Sequence, residues 1–420
     1  MESVNVKHNK EEKKIPNLRF PGFEVVWPAA KLEELCNRIS DGIHATPGYD
    51  DAGEYSFVNG NNLVDGKIEI DDNTKRVSRE EYVKHKRDLG DRTILMSING
   101  TIGNLACYRN EKVILGKSAC YINVTKQVEK AFIYNTLQLR SIKYFFNSEL
   151  TGTTIKNLSL KTIKNTNVYI PSLPEQQKIA SFLSAVDQKI QQLTRKKELL
   201  ELYKKGVMQK IFPPVGGQAP EIRFRNENGN NFPDWEEKRL GELAEIRRGA
   251  SPRPISDPKW FDPSSKIGWV RISDVTRSNK YLDKTEQYLS EEGIRKSRLV
   301  EKGNMIMSIC ATIGKSIYTN FKVCIHDGFV VFENLKANKE YLYYFLDKIQ
   351  LSWYKYGQPG TQVNLNTNIV GNENIPYPSF PEQKRIAGFL SSIDEKIEFV
   401  KNNITQTQKF KKGLLQQMFV

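Results

Sequence analysis

Two stretches of this 420-residue chain could hold a phosphate. Gly116-Lys117-Ser118 and Gly314-Lys315-Ser316 both carry the ending of a phosphate-cradling loop, in which backbone amides and a lysine gather the oxygens. That loop needs another glycine five residues earlier, where this chain has Glu111 and Ile309. Neither stretch is expected to bind a nucleotide. Pro233-Asp234 with Glu236-Glu237-Lys238 offers the residue types of a metal-dependent nuclease. Those carboxylates are too bunched along the chain to surround one metal, and the stretch reads better as the start of a domain. His326 beside Asp327 could form an acid–base pair, although a histidine at the end of a strand is the simpler reading. The remaining histidines, His8, His44 and His85, are dispersed. Gly-x-Ser-x-Gly, His-Glu-x-x-His and the Asn/Asp-Pro-Pro-aromatic motif of adenine methyltransferases do not occur. We expect no catalytic residue and no metal site. Cys36, Cys107, Cys120, Cys310 and Cys324 are scattered, without a Cys-x-x-Cys pair, and read as reduced thiols of a cytoplasmic protein.

The chemistry that remains is recognition of a polyanion. The formal net charge is +14, which favours nucleic acid ahead of an anionic membrane surface. No apolar run approaches the roughly 18 residues of a membrane span, and the first 14 residues have no apolar centre, so no membrane partner and no secretion signal are expected. Phosphates call for Lys and Arg, and base edges for Arg, Asn, Gln, Ser and Thr at groove depth. Four polar loops supply them. In the first half, His44 and Thr46 follow Asp41-Gly42, and Thr153, Lys156 and Asn157 follow Gly152. In the second, Arg247, Arg248, Ser251 and Arg253 surround Gly249, and Gln362 and Asn364 follow Gly360. With Lys315, these twelve are the expected DNA-contacting residues.

Two long helices must position these loops. Pro171-Ser172-Leu173-Pro174-Glu175-Gln176 opens one, and Pro378-Ser379-Phe380-Pro381-Glu382-Gln383 opens the other. Each start reads as a Ser-x-x-Glu capping box with proline in the first turn. The two stretches share roughly two positions in five, the mark of an internal repeat. Behind each box runs a heptad of the coiled-coil kind. The first seam is Ile179, Leu183, Val186, Ile190, Leu193 and Leu200, continuing to Val207 and Ile211, with Lys197 and Lys204 at two a positions. The second is Ile386, Leu390, Ile393, Ile397, Val400 and Ile404, continuing to Leu414 and Met418, with Lys411 at an a position. Each helix should span about 37 residues, on the order of 55 Å, and the two should pack on each other.

The repeat extends into the globular parts. Pro16-Asn17-Leu18-Arg19-Phe20 returns as Pro220-Glu221-Ile222-Arg223-Phe224, Trp27 as Trp235, and Met96-Ser97-Ile98 with Thr101-Ile102-Gly103 as Met307-Ser308-Ile309 with Thr312-Ile313-Gly314. Short strand-like runs cover 93–98, 112–115, 119–124, 305–309 and 323–332, with helical stretches at 132–146 and 339–354. The expected fold is α+β. A disordered tail (1–15) precedes a target-recognition domain (16–168) and a helical spacer (169–212). A second recognition domain (213–372) and a second spacer (373–420) follow, with a joint at Pro213-Pro214. Between the halves, loops 47–72 and 247–265 do not align, as expected of one scaffold reading two targets.

On the paired Pro-x-Leu/Phe-Pro-Glu-Gln starts, each followed by Ile-Ala-x-Phe-Leu and a long helix, the chain resembles the specificity subunit of type I restriction-modification systems. The Trp27 and Trp235 domain starts, both Thr-Ile-Gly turns, and the Gly152-Thr153 and Gly360-Thr361 segments carry the likeness over nearly its whole length. The resemblance implies two target-recognition domains in pseudo-two-fold arrangement, each reading half of a split DNA site. It implies an antiparallel coiled coil that sets the gap, and two methyltransferase subunits that modify adenine N6 with S-adenosylmethionine. Two restriction subunits using ATP and Mg2+ would complete the complex. This chain itself would catalyse nothing.

Overall fold

A computed structural model describes residues 15–213, 220–356 and 364–420. The expected tail, apart from Ile15, lies outside the described residues, as do the joint from Pro214 and the stretch containing Gly360, Thr361 and Gln362. The chain folds as two compact units. One comprises the residues up to Thr194 together with Asn402–Val420, and the other Arg195–Lys401. Each unit holds one globular domain and part of both long helices.

Strand alternation builds each unit. In the first, Cys36–Asp41, Ala119–Val124, Thr93–Ser97 and Leu105–Cys107 form an antiparallel sheet in that spatial order. The two central strands are buried at every residue, and their period of two sends side chains into two cores. Ile94, Met96, Cys120 and Ile122 face a core shared with the helices. Leu95, Ala119 and Tyr121 face a smaller one, next to a sheet in which Tyr55–Val58 runs parallel to Val113–Leu115.

The second unit repeats the plan. Glu245–Arg248, Phe329–Glu333, Met305–Ser308 and Ser316–Thr319 take the same order, and Tyr281–Leu282 adds a parallel edge. Met305 and Met307 face the helix-side core, Ile306 the other. Gly268–Val270 runs parallel to Val323–Ile325, as Tyr55–Val58 does beside Val113–Leu115. A two-stranded ribbon brings both ends of each domain together: Ala29–Lys31 with Asn167–Tyr169, and Glu236–Arg239 with Asn374–Tyr377.

The expected helix at 132–146 is two, Lys130–Thr136 and Arg140–Ser148, parted where Leu137 and Leu139 turn into the core. The one at 339–354 is α-helical over Lys339–Ile349 and tightens to a 3-10 helix over Gln350–Tyr356, where Trp353 is buried.

The long helices are Leu173–Ile211 and Phe380–Met418, 39 residues each. Their heptads select the inward face. Ile179, Leu183, Leu193, Val207, Ile386, Leu390, Ile393, Val400, Leu414 and Met418 are buried, and Val186, Ile190, Leu200, Ile397 and Ile404 half-buried. In the first unit the early part of the first helix shares a core with the end of the second: Ile179 and Leu183 with Leu414 and Met418. In the second unit Val207 and Ile211 share a core with Ile386 and Leu390. The helices therefore pair in opposite directions. Lys197 pairs along its own helix with Glu201 at 3.3 Å, whereas the other two seam lysines have matching partners across the seam. Lys411 Nζ lies 2.7 Å from Asp187 Oδ1, and Lys204 Nζ 2.8 Å from Asp394 Oδ1. Each pair is 207 positions from its counterpart in sequence, so a polar contact fixes register in both units.

The expected capping boxes are not what the Pro-Glu-Gln motif builds. Both carboxylate oxygens of Glu175 accept from Arg19, at 2.6 and 2.8 Å. Those of Glu382 accept from Arg223 at 3.2 and 3.0 Å, with Trp235 Nε1 at 2.9 Å. Ser379 Oγ is buried without a partner. Gln176 accepts from the Glu129 amide at 2.9 Å, and Gln383 from the Asn338 amide at 2.8 Å. Those amides sit at the N-caps of Lys130–Thr136 and Lys339–Ile349. The motif thus binds each long helix to its own domain rather than capping itself.

Candidate nucleic-acid interface

The predicted loops converge at one end of each sheet, through the same backbone bonds. In the first unit the Gly42 amide donates to Ala119, that of Ile43 to Leu115, that of Ile98 to Ser118, and that of Leu158 to Ile98. In the second, Gly249 donates to Phe329, Ala250 to Ile325, Ile309 to Gly328, and Leu365 to Ile309. Glycine is required where the first loop leaves the sheet: a Cβ would lie 2.1 Å from the Leu115 carbonyl at Gly42, and 2.1 Å from that of His326 at Gly249.

These bonds gather His44, Thr46, Lys156 and Asn157 into one cluster. Ile43 bridges Gly116, and Asn99 bridges Asn157 while its side chain donates to the Lys117 carbonyl at 3.2 Å. His44, Thr46, Thr153, Lys156 and Lys117 are all exposed. His44 Nε2 lies 2.9 Å from Asp41 Oδ2. In the second unit Arg248, Ser251 and Arg253 meet at Asp327. Ser251 Oγ donates to its carboxylate at 2.8 Å, Arg248 Nε to its carbonyl at 2.7 Å, and Arg253 Nη2 lies 3.9 Å from Oδ2. The Ser251 hydrogen bond leads in holding the Asp327 carboxyl below its ordinary range. Asn364 is exposed beside Leu365, and Gln362 lies outside the described residues.

Two predicted residues are committed elsewhere. Arg247 pairs with Glu245 at 2.7 Å and Glu333 at 3.0 Å on its own sheet. Lys315 Nζ donates to the carbonyls of Thr276 and Ser278, at 3.1 and 2.9 Å, closing the end of the helix Ile272–Arg277; burial pushes its ammonium pKa down. The two Gly-Lys-Ser stretches are not equivalent. Gly314-Lys315 corresponds to Gly103-Asn104, since Gly103 and Gly314 donate to Ser97 and Ser308, whose hydroxyls accept from the Asn104 and Lys315 amides. Gly103 and Gly314 both take positive φ, which explains the paired Thr-Ile-Gly turns. Both Gly-Lys-Ser stretches run into strands, where a phosphate loop would open a helix.

Sequence reasoning missed Lys117 and Asp327, which occupy one position in the two units: each lies two residues before the strand residue, Ala119 or Phe329, that accepts from Gly42 or Gly249. Both stand in stretches that suggest other chemistry, Lys117 in Gly116-Lys117-Ser118 and Asp327 beside His326, and no short motif repeats across the two positions. His326 is packed against Trp269 and Phe329. Its Nδ1 accepts from the Gly328 amide, and burial lowers its pKa, which suits a structural place. Among the described residues no cluster of His, Cys, Asp or Glu could hold a metal, and no helix is long and apolar enough to cross a membrane.

Two like domains with polar loop clusters at matching sheet ends, joined by paired helices, define a duplicated recognition scaffold. The type I restriction modification DNA specificity domain matches residues 24–202 and again 233–408. The chain belongs to that family and carries two such domains. It is similar to the type I restriction enzyme MjaVIII specificity subunit of Methanocaldococcus jannaschii, with 25% identity over 86% of this chain and 84% of that one. The provisionally named MjaX specificity subunit of the same organism is 26% identical over 93% and 92%. A solved structure from work on complex assembly and conformational transition of the type I R-M system shares the fold, with a TM-score of 0.60 at 17% identity over 94% of this chain and 98% of that one. The S subunit from M. genitalium does so with a TM-score of 0.57 at 17% identity, over 96% and 99%.

Proposed function

We propose that each loop cluster reads one half of a split, asymmetric double-stranded DNA site, and that the paired helices set the gap between the halves. On this reading the chain is a non-catalytic cytoplasmic subunit. It directs two methyltransferase subunits, which bring S-adenosylmethionine to adenine N6, and two restriction subunits, which use ATP and Mg2+. The observation that carries the reading is that the two units present different side chains on one backbone frame, Lys117 and Lys156 in one and Arg248, Arg253 and Asp327 in the other. A shared frame supplies the docking pose, and divergent side chains supply two sequences. The net charge of +14 supports a polyanionic partner. Helices of 39 residues reach about 58 Å, enough for two major-groove contacts about one turn, ~34 Å, apart. Leu199, Leu202, Tyr203 and Phe399, 48–67% exposed on the long helices of the second unit, support docking of a protein partner there.

The test is to express the chain with its methyltransferase subunits and map modified adenines by sequencing, before and after exchanging loop 247–265 for that of another family member. One half-site should change while the other half and the gap persist. An unaltered methylated sequence would overturn the reading, as would methylation by the purified chain alone.

A further inference from the structure

The two units differ in how each recognition domain is tied to the long helices. In the second unit a polar chain crosses the junction. Lys280, beside the edge strand Tyr281–Leu282, pairs with Glu340 and donates to the Tyr344 hydroxyl at 3.2 Å. Its ammonium also lies over the Tyr344 ring, 4.7 Å from the centroid. Tyr344, fully buried in the helix Lys339–Ile349, donates to Asp394 Oδ2 at 2.6 Å and lies 3.2 Å from Ser391 Oγ, both on the second long helix. Asp394 holds Lys204 of the first long helix at 2.8 Å, and Lys204 lies 5.0 Å from the Tyr344 ring centroid on its own account.

Among the described residues the first unit keeps only the last link, Lys411 with Asp187. The Cys107 amide donates to the Gly66 carbonyl at 3.0 Å, as the Tyr318 amide donates to the Lys280 carbonyl at 2.9 Å. Glycine therefore stands where Lys280 would be. Gly66 takes a positive φ, which a lysine would adopt only under strain, and a Cβ there would lie 2.7 Å from the Tyr134 hydroxyl, which would have to move. Five residues into the matching helix Lys130–Thr136 stands Asn135, where Lys339–Ile349 has Tyr344. Its amide donates to Ala131 of its own helix at 2.8 Å.

We propose that Tyr344 is a positioning residue for gap discrimination: the network around it keys the second recognition domain to the coiled coil, beyond the Pro-Glu-Gln contacts and apolar packing that both domains share. The physical basis is direction. Apolar contacts between domain and coil, such as Phe212 on Tyr341 and Phe345, are non-directional and tolerate small rotations. A half-buried network of charged and hydroxyl groups around a fully buried tyrosine tolerates fewer arrangements, because a displaced member loses directional partners that water only partly replaces. The second domain, with this network added to the shared contacts, is accordingly the one whose orientation on the helices is held more tightly, and its half-site the one that enforces spacing. This rests on the reading that the helices set the gap.

The test uses the full chain assembled with its methyltransferase subunits and duplexes carrying both half-sites at the native gap or one base pair longer or shorter. Wild type should favour the native gap by tenfold or more. Tyr344→Phe should keep the native-gap rate within about threefold while raising methylation at the altered gaps at least fivefold. Lys280→Met, which keeps the aliphatic stem but not the charge, should do the same, and Asn135→Ala should leave the ratio unchanged. A purely structural role would lower the melting temperature and all rates together, leaving the ratio intact. That result for both Tyr344→Phe and Lys280→Met would overturn the inference while sparing the gap-setting reading. A wild-type complex indifferent to the gap would overturn both.

Discussion

Asp327 is a carboxylate in a cluster otherwise suited to phosphate, and its unit-one counterpart is Lys117. Ionised and held by Ser251, it keeps the Arg253 guanidinium within 3.9 Å. A cation already facing a carboxylate releases fewer counterions when it meets duplex DNA. Asp327→Asn should therefore strengthen binding to non-specific duplex at low salt. It should steepen the slope of log affinity against log salt by about 0.9, the value of one further phosphate contact. Fluorescence anisotropy across a KCl series would read this, and an unaltered slope would show that Arg253 is not restrained by Asp327. Arg248 bonds the backbone carbonyl of the same residue, so its position should survive the substitution.

At the scale of elements, the Pro-Glu-Gln motif makes each long helix inseparable from one domain. Glu382 is wholly buried and takes both Arg223 and Trp235. Removing Arg223 as methionine strands a buried carboxylate, at a cost of about 3–5 kcal/mol. Arg223→Met should lower the urea midpoint of the second unit by a corresponding amount, and adding Glu382→Gln should recover part of it. If the single variant melted as wild type does, Arg223 would be an ornament rather than a tie. The seam belongs to the same scale. Heptad spacing alone identified its inward residues, because side chains seven apart fall on one stripe of a helix. The partners of Lys204 and Lys411, Asp394 and Asp187, became visible only when the helices were seen to run in opposite directions.

For the whole molecule, the consequence is spacing. Inserting one heptad at matched positions in both long helices adds about 10 Å to the coil, equivalent to about three base pairs at 3.4 Å per step. Methylation mapping of such a variant, assembled with its partners, should find the same half-sites separated by a gap about three base pairs longer. Recovery of the original gap would refute the proposal that the helices measure it.

The sequence by itself determined the duplication, the two long helices with their buried stripes, the α+β class and the loops that meet at each sheet end. These are properties of local pattern, written in periods of seven and two and in repeated short motifs, and local pattern survives without knowledge of what lies across the fold. Tertiary structure decided what each polar group spends its charge on. Arg247 and Lys315 look as free in sequence as Arg253, yet one is taken by Glu245 and Glu333 and the other by two helix-end carbonyls. The Glu175 and Glu382 carboxylates, written as caps, are drawn to arginines 156 and 159 residues away. A charge in a folded chain takes the partner nearest in space, and nearness between residues so far apart in sequence is set by the packing of strands and helices.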